Sequence, residues 1–449
     1  THYGPIAPQN PSPLETMLGA ATWASSEDCL SVNVWTPALD DGRRPVMVWL
    51  HGGGFVAGSG GVPWYDGAAL ARRRDVVVVT CNYRLGALGF LRLSHLLGAD
   101  FTTSGNSGIL DQVAALRWVT DNITGFGGDP SRVTIFGESA GGMSVGTLLA
   151  VPDAGGLFGR AIAQSGAGHN ALPAERAEAI TDQFLAAAGI GAANAEAVLD
   201  LPVDQLLAAQ EKVSTAITTA GLTLAFEPVV DGIVLPQRPV DAVAGGAAAG
   251  VPLVVGTTAD EWAMFNFLER QNGGIDDATL ERRSQRLFGE ATPYALAVYQ
   301  AARPGATTLD LWEAIATDWV FRTPAIRLAE VHASHTPATW MYLFAEPSTA
   351  FGGQLRACHA IDIPFVFDNV HRKGTDLFLG TVDEGTRNVA AMTSRAWSTL
   401  ATTGDPNNDD LPDWPAYDTT RRATMVLDRN PRVVDDPGAA ERVLWEGLL

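Results

Sequence analysis

Apolar positions along this 449-residue chain fall into two rhythms. The runs Val46-Met47-Val48-Trp49-Leu50 and Val76-Val77-Val78-Val79-Thr80 are continuous, with no polar alternation. Such runs predict strands covered on both faces, as in a parallel sheet. Residues 132–136, 160–164, 253–256 and 340–344 read the same way. Between them Ile109, Val113, Leu116, Val119 and Ile123 recur at helical spacing and predict a helix over 109–122. Strands alternating with helices need right-handed crossovers, which predicts an α/β fold with a doubly wound, mostly parallel sheet.

The rhythm changes over roughly 265–335, where a charged, helical pattern without strands predicts a helical insertion. His332 and His335 fall in it and read as solvated-face residues. The first 26 residues read as surface coil, and from Trp397 a helix gives way to Pro/Asp-rich loops. No repeat or low-complexity linker divides residues 1–449, so a single domain with insertions is expected.

Composition narrows the partners. With 30 basic and 50 acidic residues the net charge is −20, which disfavours nucleic acid and anionic membrane surfaces. No uncharged apolar run is long enough to cross a bilayer; the nearest, residues 242–256, is broken by Pro252. Cys29, Cys81 and Cys358 are odd in number and lack metal-ligand spacing, so neither a disulfide framework nor a metal site is expected. No signal peptide opens the chain at Thr1. A cytoplasmic protein without cofactors, monomeric or homodimeric, is the expectation, with secretion left open.

Candidate chemistry centres on Gly137-Glu138-Ser139-Ala140-Gly141, between a strand-like run and a helical small-residue run. That is the pattern of a nucleophile elbow. Its serine sits on a sharp turn, and both glycines make room for neighbouring backbone. His51-Gly52-Gly53-Gly54-Phe55, directly after the run at 46–50, is the Gly-rich loop that accompanies such an elbow. The N–H groups of Gly53, Gly54 and Ala140 are the candidate oxyanion hole.

A serine needs a base, and the base an orienting acid, in the chain order Ser, acid, His. Of eight histidines, three precede Ser139 and His169 follows it too closely to admit an acid. His371 lies in a charged turn. His359 lies between a Gly-rich loop and the apolar run 361–367, which suits a mobile imidazole over a packed base. Asp260 and Glu261, just past the predicted strand 253–256, are both candidate acids by pattern. Asp260 and Thr257 are alternatively helix caps.

These motifs resemble the type B carboxylesterase/cholinesterase family. The resemblance runs through Ser26-Glu27-Asp28-Cys29-Leu30, the glycine loop, Asn82-Tyr83-Arg84-Leu85-Gly86, Gly105-Asn106-Ser107-Gly108, Phe126-Gly127-Gly128-Asp129-Pro130, the elbow, Asp260-Glu261 and His359-Ala360-Ile361-Asp362-Ile363-Pro364-Phe365. It implies an α/β-hydrolase fold and a serine carboxylesterase acting on small esters through an acyl-enzyme. It also implies Glu261 as the acid, Glu138 as a second buried carboxylate and Ser165 as a hydrogen-bonding support. Arg84–Asp111 would be a structural ion pair. Phe55, Met264 and Phe265 are expected to line the substrate pocket. The family's usual opening stretch of roughly sixty residues, with one gorge wall, has no counterpart ahead of Thr1. The aromatic that holds a quaternary ammonium in cholinesterases has none either, so a bacterial carboxylesterase is expected rather than a choline esterase. The same triad would serve an amidase, carbamate hydrolase or thioesterase. A non-catalytic adhesion relative is the third class, and it typically lacks the nucleophile.

Overall fold

The computed structural model describes residues 3–12, 23–219, 224–372 and 374–448. Residues 13–22 of the expected opening coil lie outside the described residues. The chain forms two compact units, Thr1–Ala163 with Ala167–Val251, and Gln164–Gly166 with Pro252–Leu449.

In the first unit, strands β1 (Val32–Trp35), β2 (Arg44–Leu50), β3 (Val77–Cys81), β4 (Gly128–Glu138) and β5 (Arg160–Gln164, its last residue grouped with the second unit) take the order β1-β3-β2-β4-β5. β2 runs parallel to β3 and to β4, whereas β1 pairs antiparallel to β3 at the edge. Every residue of β3, and β2 from Pro45 onward, is buried. That two-sided burial is why these strands read as unbroken apolar runs. The predicted helix occupies Ser107–Asn122 and buries Ile109, Val113, Leu116 and Val119. A short parallel pair, β6 (Leu172–Pro173) with β7 (Val229–Val230), was not foreseen. Arg84 and Asp111 form the expected ion pair, with Nη2 2.7 Å from Oδ1.

In the second unit, β8 (Leu253–Thr258), β9 (Thr339–Phe344) and β10 (Ala423–Leu427) pair in parallel, and β11 (Arg432–Asp435) closes the edge antiparallel to β10. Helices Asp277–Phe288, Thr292–Ala302, Thr308–Thr317 and Thr323–Ala333 fill the predicted helical stretch, with a π-helical turn at Asp318–Arg322. They gather around a core of Leu280, Tyr299, Trp312, Ile315 and Trp445. His335 is exposed as expected. His332 corrects its expectation: it is 1% exposed, and its Nδ1 lies 2.7 Å from Thr339 Oγ1. The helical side chain reaches back onto β9 instead of outward. Thr257 is a buried strand residue, and Asp260 makes no side-chain cap, so neither is the helix cap the pattern allowed. The C-terminal stretch read as loops contains β10 and β11. Among the described residues no helix is long and apolar enough to cross a membrane.

Candidate active site

Ser139 joins β4 to the helix Ala140–Leu148 with φ 58° and ψ −126°. A non-glycine residue at positive φ costs roughly 1–3 kcal/mol and persists only where its surroundings over-determine it. Here the flanking glycines do so. A Cβ at Gly141 would stand 2.0 Å from the Leu50 carbonyl oxygen, and one at Gly137 would stand 2.6 Å from both that oxygen and the Gly141 backbone. Strand and helix therefore approach at backbone distance on either side of the serine. Glu138 is 2% exposed. A Cβ on Gly52 would lie 3.2 Å from Glu138 Oε2 and from Ser139 Cβ, so the glycine loop passes directly over the elbow.

That loop leaves β2 at Leu50. Its first residue, His51, is buried, and burial lowers its pKa to about 4, so the ring is neutral near pH 7. The ring stacks on Tyr83 at 4.3 Å, and the Tyr83 hydroxyl donates to the His51 carbonyl at 2.7 Å. Gly53 has φ 107°, and a Cβ there would lie 2.1 Å from the Ala57 carbonyl oxygen, so only glycine fits. Its own carbonyl accepts from Val56 and Ala57 at 3.1 and 3.0 Å. Among the described residues, the backbone N–H groups of Gly53, Gly54 and Ala140 donate to no partner. Three unspent donors at one loop and one helix start are the raw material of an oxyanion site. Phe55 exposes no surface; its ring packs edge-on against Phe90 at 5.1 Å.

In the second unit β8 delivers Glu261, which opens a short turn, Glu261–Ala263, and is fully buried. Its Oε1 accepts the Thr258 N–H at 2.8 Å, and its Oε2 lies 2.6 Å from His359 Nδ1. A carboxylate only accepts, so Nδ1 carries the proton and the neutral ring keeps its lone pair on Nε2. The backbone ties the two residues again: His359 N–H donates to the Glu261 carbonyl at 3.3 Å. Asp260 instead accepts the Ala357 N–H at 3.3 Å. Of the two candidate acids, Glu261 is the one whose carboxylate meets the imidazole.

Around the imidazole stand two aromatic rings, Phe265 at 5.2 Å and Phe321 at 4.7 Å between centroids. Phe265 is 46% exposed and Met264 is half-buried. Phe321 was not singled out in the sequence, because a lone Phe in a helical pattern carries no signal of its neighbour. Asp362 was also missed. It is buried three residues beyond His359, and its Oδ2 accepts from Gln164 Nε2 at 2.9 Å and the Tyr342 hydroxyl at 3.1 Å. Gln164 in turn accepts from Trp397 Nε1 at 3.0 Å. Burial, opposed by these hydrogen bonds, raises the Asp362 pKa to about 6. A carboxylate inside the apolar run 361–367 was the available sign. Ser165 is fully buried with φ 47°, and its N–H donates to Gly256 at 2.8 Å, but its hydroxyl bonds to no described residue.

The predicted residues thus gather into two local constellations, Gly52–Glu138–Ser139 with the glycine loop, and Glu261–His359 with Phe265. Comparison with known proteins covers the chain that carries both. The model of the carboxylesterase family matches residues 1–445. The chain is 39% identical to a para-nitrobenzyl esterase of Bacillus subtilis over 98% of this chain and 87% of that protein. It is 34% identical to a phenmedipham hydrolase of Pseudarthrobacter oxydans, with the same two coverages. A crystal structure of a carboxylesterase from Geobacillus stearothermophilus superposes with a TM-score of 0.87 at 41% identity, covering 99% of this chain and 89% of that one. The chain belongs to the carboxylesterase family: it is a carboxylic ester hydrolase with the α/β-hydrolase fold.

Proposed function

We propose that Ser139, His359 and Glu261 form the catalytic triad of this esterase, with Gly53, Gly54 and Ala140 as its oxyanion hole. The observation that carries the reading is the buried 2.6 Å contact between His359 Nδ1 and Glu261 Oε2. It fixes the tautomer a base needs and holds an anion ready to stabilise the imidazolium. Nε2 takes the Ser139 proton as the serine oxygen attacks the ester carbonyl. The three N–H groups then hold the negative oxygen of the tetrahedral adduct. The adduct collapses, His359 returns the proton to the departing alcohol, and Ser139 is left acylated. Water, deprotonated by His359, repeats the attack and releases the acid. Glu138 contributes a second carboxylate beside the nucleophile.

Phe265 and Phe321 give the imidazole an apolar flank, which favours esters with an apolar or aromatic acyl group. Three buried cysteines without disulfides favour a reducing, cytoplasmic setting. Ser139→Ala is the test: kcat on a short-chain aryl ester should fall on the order of 10⁴–10⁶-fold. Full activity in that variant would refute the assignment.

A further inference from the structure

Behind the Glu261–His359 pair lies an ion cluster that the chemistry above does not use. Arg356 Nη2 bonds to Asp310 Oδ1, and its Nη1 stands 3.6 Å from Glu313 Oε2 and 3.9 Å from Asp260 Oδ1. Arg270 Nη2 meets the same two acids of the helix Thr308–Thr317, at 2.9 Å for Asp310 and 2.5 Å for Glu313. Glu313 is buried and Asp310 and Arg270 are largely so, while Arg356 reaches them from a partly exposed position.

The backbone shows what the cluster holds. Arg356 has φ 54°, a left-handed conformation that side chains seldom adopt. From it the chain runs to His359 in register with the acid. Asp260 N–H donates to the Ala357 carbonyl at 2.9 Å, Ala357 N–H donates to Asp260 Oδ2, and His359 N–H donates to the Glu261 carbonyl. The Arg356 carbonyl accepts from Ser348 N–H at 2.8 Å. A strained residue three places before a catalytic base needs an anchor, and a guanidinium bonded to Asp310 and ion-paired with Glu313 supplies one.

We propose that Arg356 is a positioning residue: held by Asp310 and Glu313, it fixes the loop carrying His359 in register with Glu261. The inference rests on the roles given to Glu261 and His359 above. An imidazole displaced by a fraction of an ångström loses its proton-transfer geometry but not the substrate's apolar contacts, so the loss falls on kcat. Arg356→Gln should lower kcat on a short aryl ester on the order of 10-fold or more while KM stays within about twofold. Asp310→Asn, which leaves the loop's own sequence intact, should do the same in the same direction. Both are assayed well below their unfolding temperatures, with circular dichroism to count folded protein. The proposal is overturned if both variants keep kcat within about twofold, or if activity falls only in proportion to folded protein. His359→Ala is the reference. If it stays active, the reading of the site fails; if it is inactive and both variants are normal, only the role of Arg356 fails.

Discussion

Asp362 lies in the buried run that follows His359, and its acid is held at about 6 by burial. The ordinary value for such an acid is 3.8, so the folded state binds its proton more tightly than the unfolded state. Stability from this group is fully present below that ordinary value and is lost as pH rises through about 6. Asp362→Asn removes the titration while leaving an oxygen to accept from Gln164 and Tyr342. The loss of stability between pH 4 and pH 7 should therefore shrink by about 3 kcal/mol at most in the variant, read by denaturant unfolding at both pH values. An unchanged difference would mean that Asp362 is ionised throughout. The same residue marks where pattern reading stops. Ser139 and His359 were legible because each sits in a local context with few rivals: a strand–turn–helix with paired glycines, and a loop before an apolar run. Glu261 was legible only as one of an adjacent pair; its bond to His359 is a contact between distant segments. Phe321 and the buried face of His332 were illegible for that reason, since helical spacing says which face a residue takes but not what meets it.

Elements were legible where burial is two-sided. β2, β3, β5 and β9 appear in the sequence as apolar runs and in the structure within a residue or two of them. β10 is just as buried, with all five residues inside, yet it was missed because Asp- and Arg-rich turns flank it and the run is short. β1 was missed because its four residues are only half-buried at an edge. The helix Glu384–Thr403 begins 13 residues ahead of Trp397, where Asp383 caps it through the Thr386 N–H at 2.9 Å. The elbow is the element whose geometry makes the hardest demand. Gly141→Ala forces a methyl to within 2.0 Å of the Leu50 carbonyl, and backbone on both sides cannot yield cheaply. The substitution should cost about 3 kcal/mol or more and depress activity with it, seen as a lower midpoint in thermal unfolding. A variant with unchanged midpoint and activity would show that strand and helix are further apart there.

Over the whole molecule, Ser139 and the glycine loop belong to the first compact unit, Glu261 and His359 to the second. The family match spans both, from residue 1 to 445. The fold class was readable because βα alternation and ordered motifs extend along the entire chain. No linker composition marks the boundary between the two compact units. The net charge of −20 shaped the expectation about partners and says nothing about the fold. The central claim is that ester hydrolysis passes through Ser139. Labelling with a fluorophosphonate, followed by peptide mass spectrometry and a parallel esterase assay, tests it most directly. The account expects one equivalent of label on the peptide containing Ser139, with activity lost in step, and no label in Ser139→Ala. Esterase activity that survives full labelling, or a label carried by another serine as activity disappears, would contradict it.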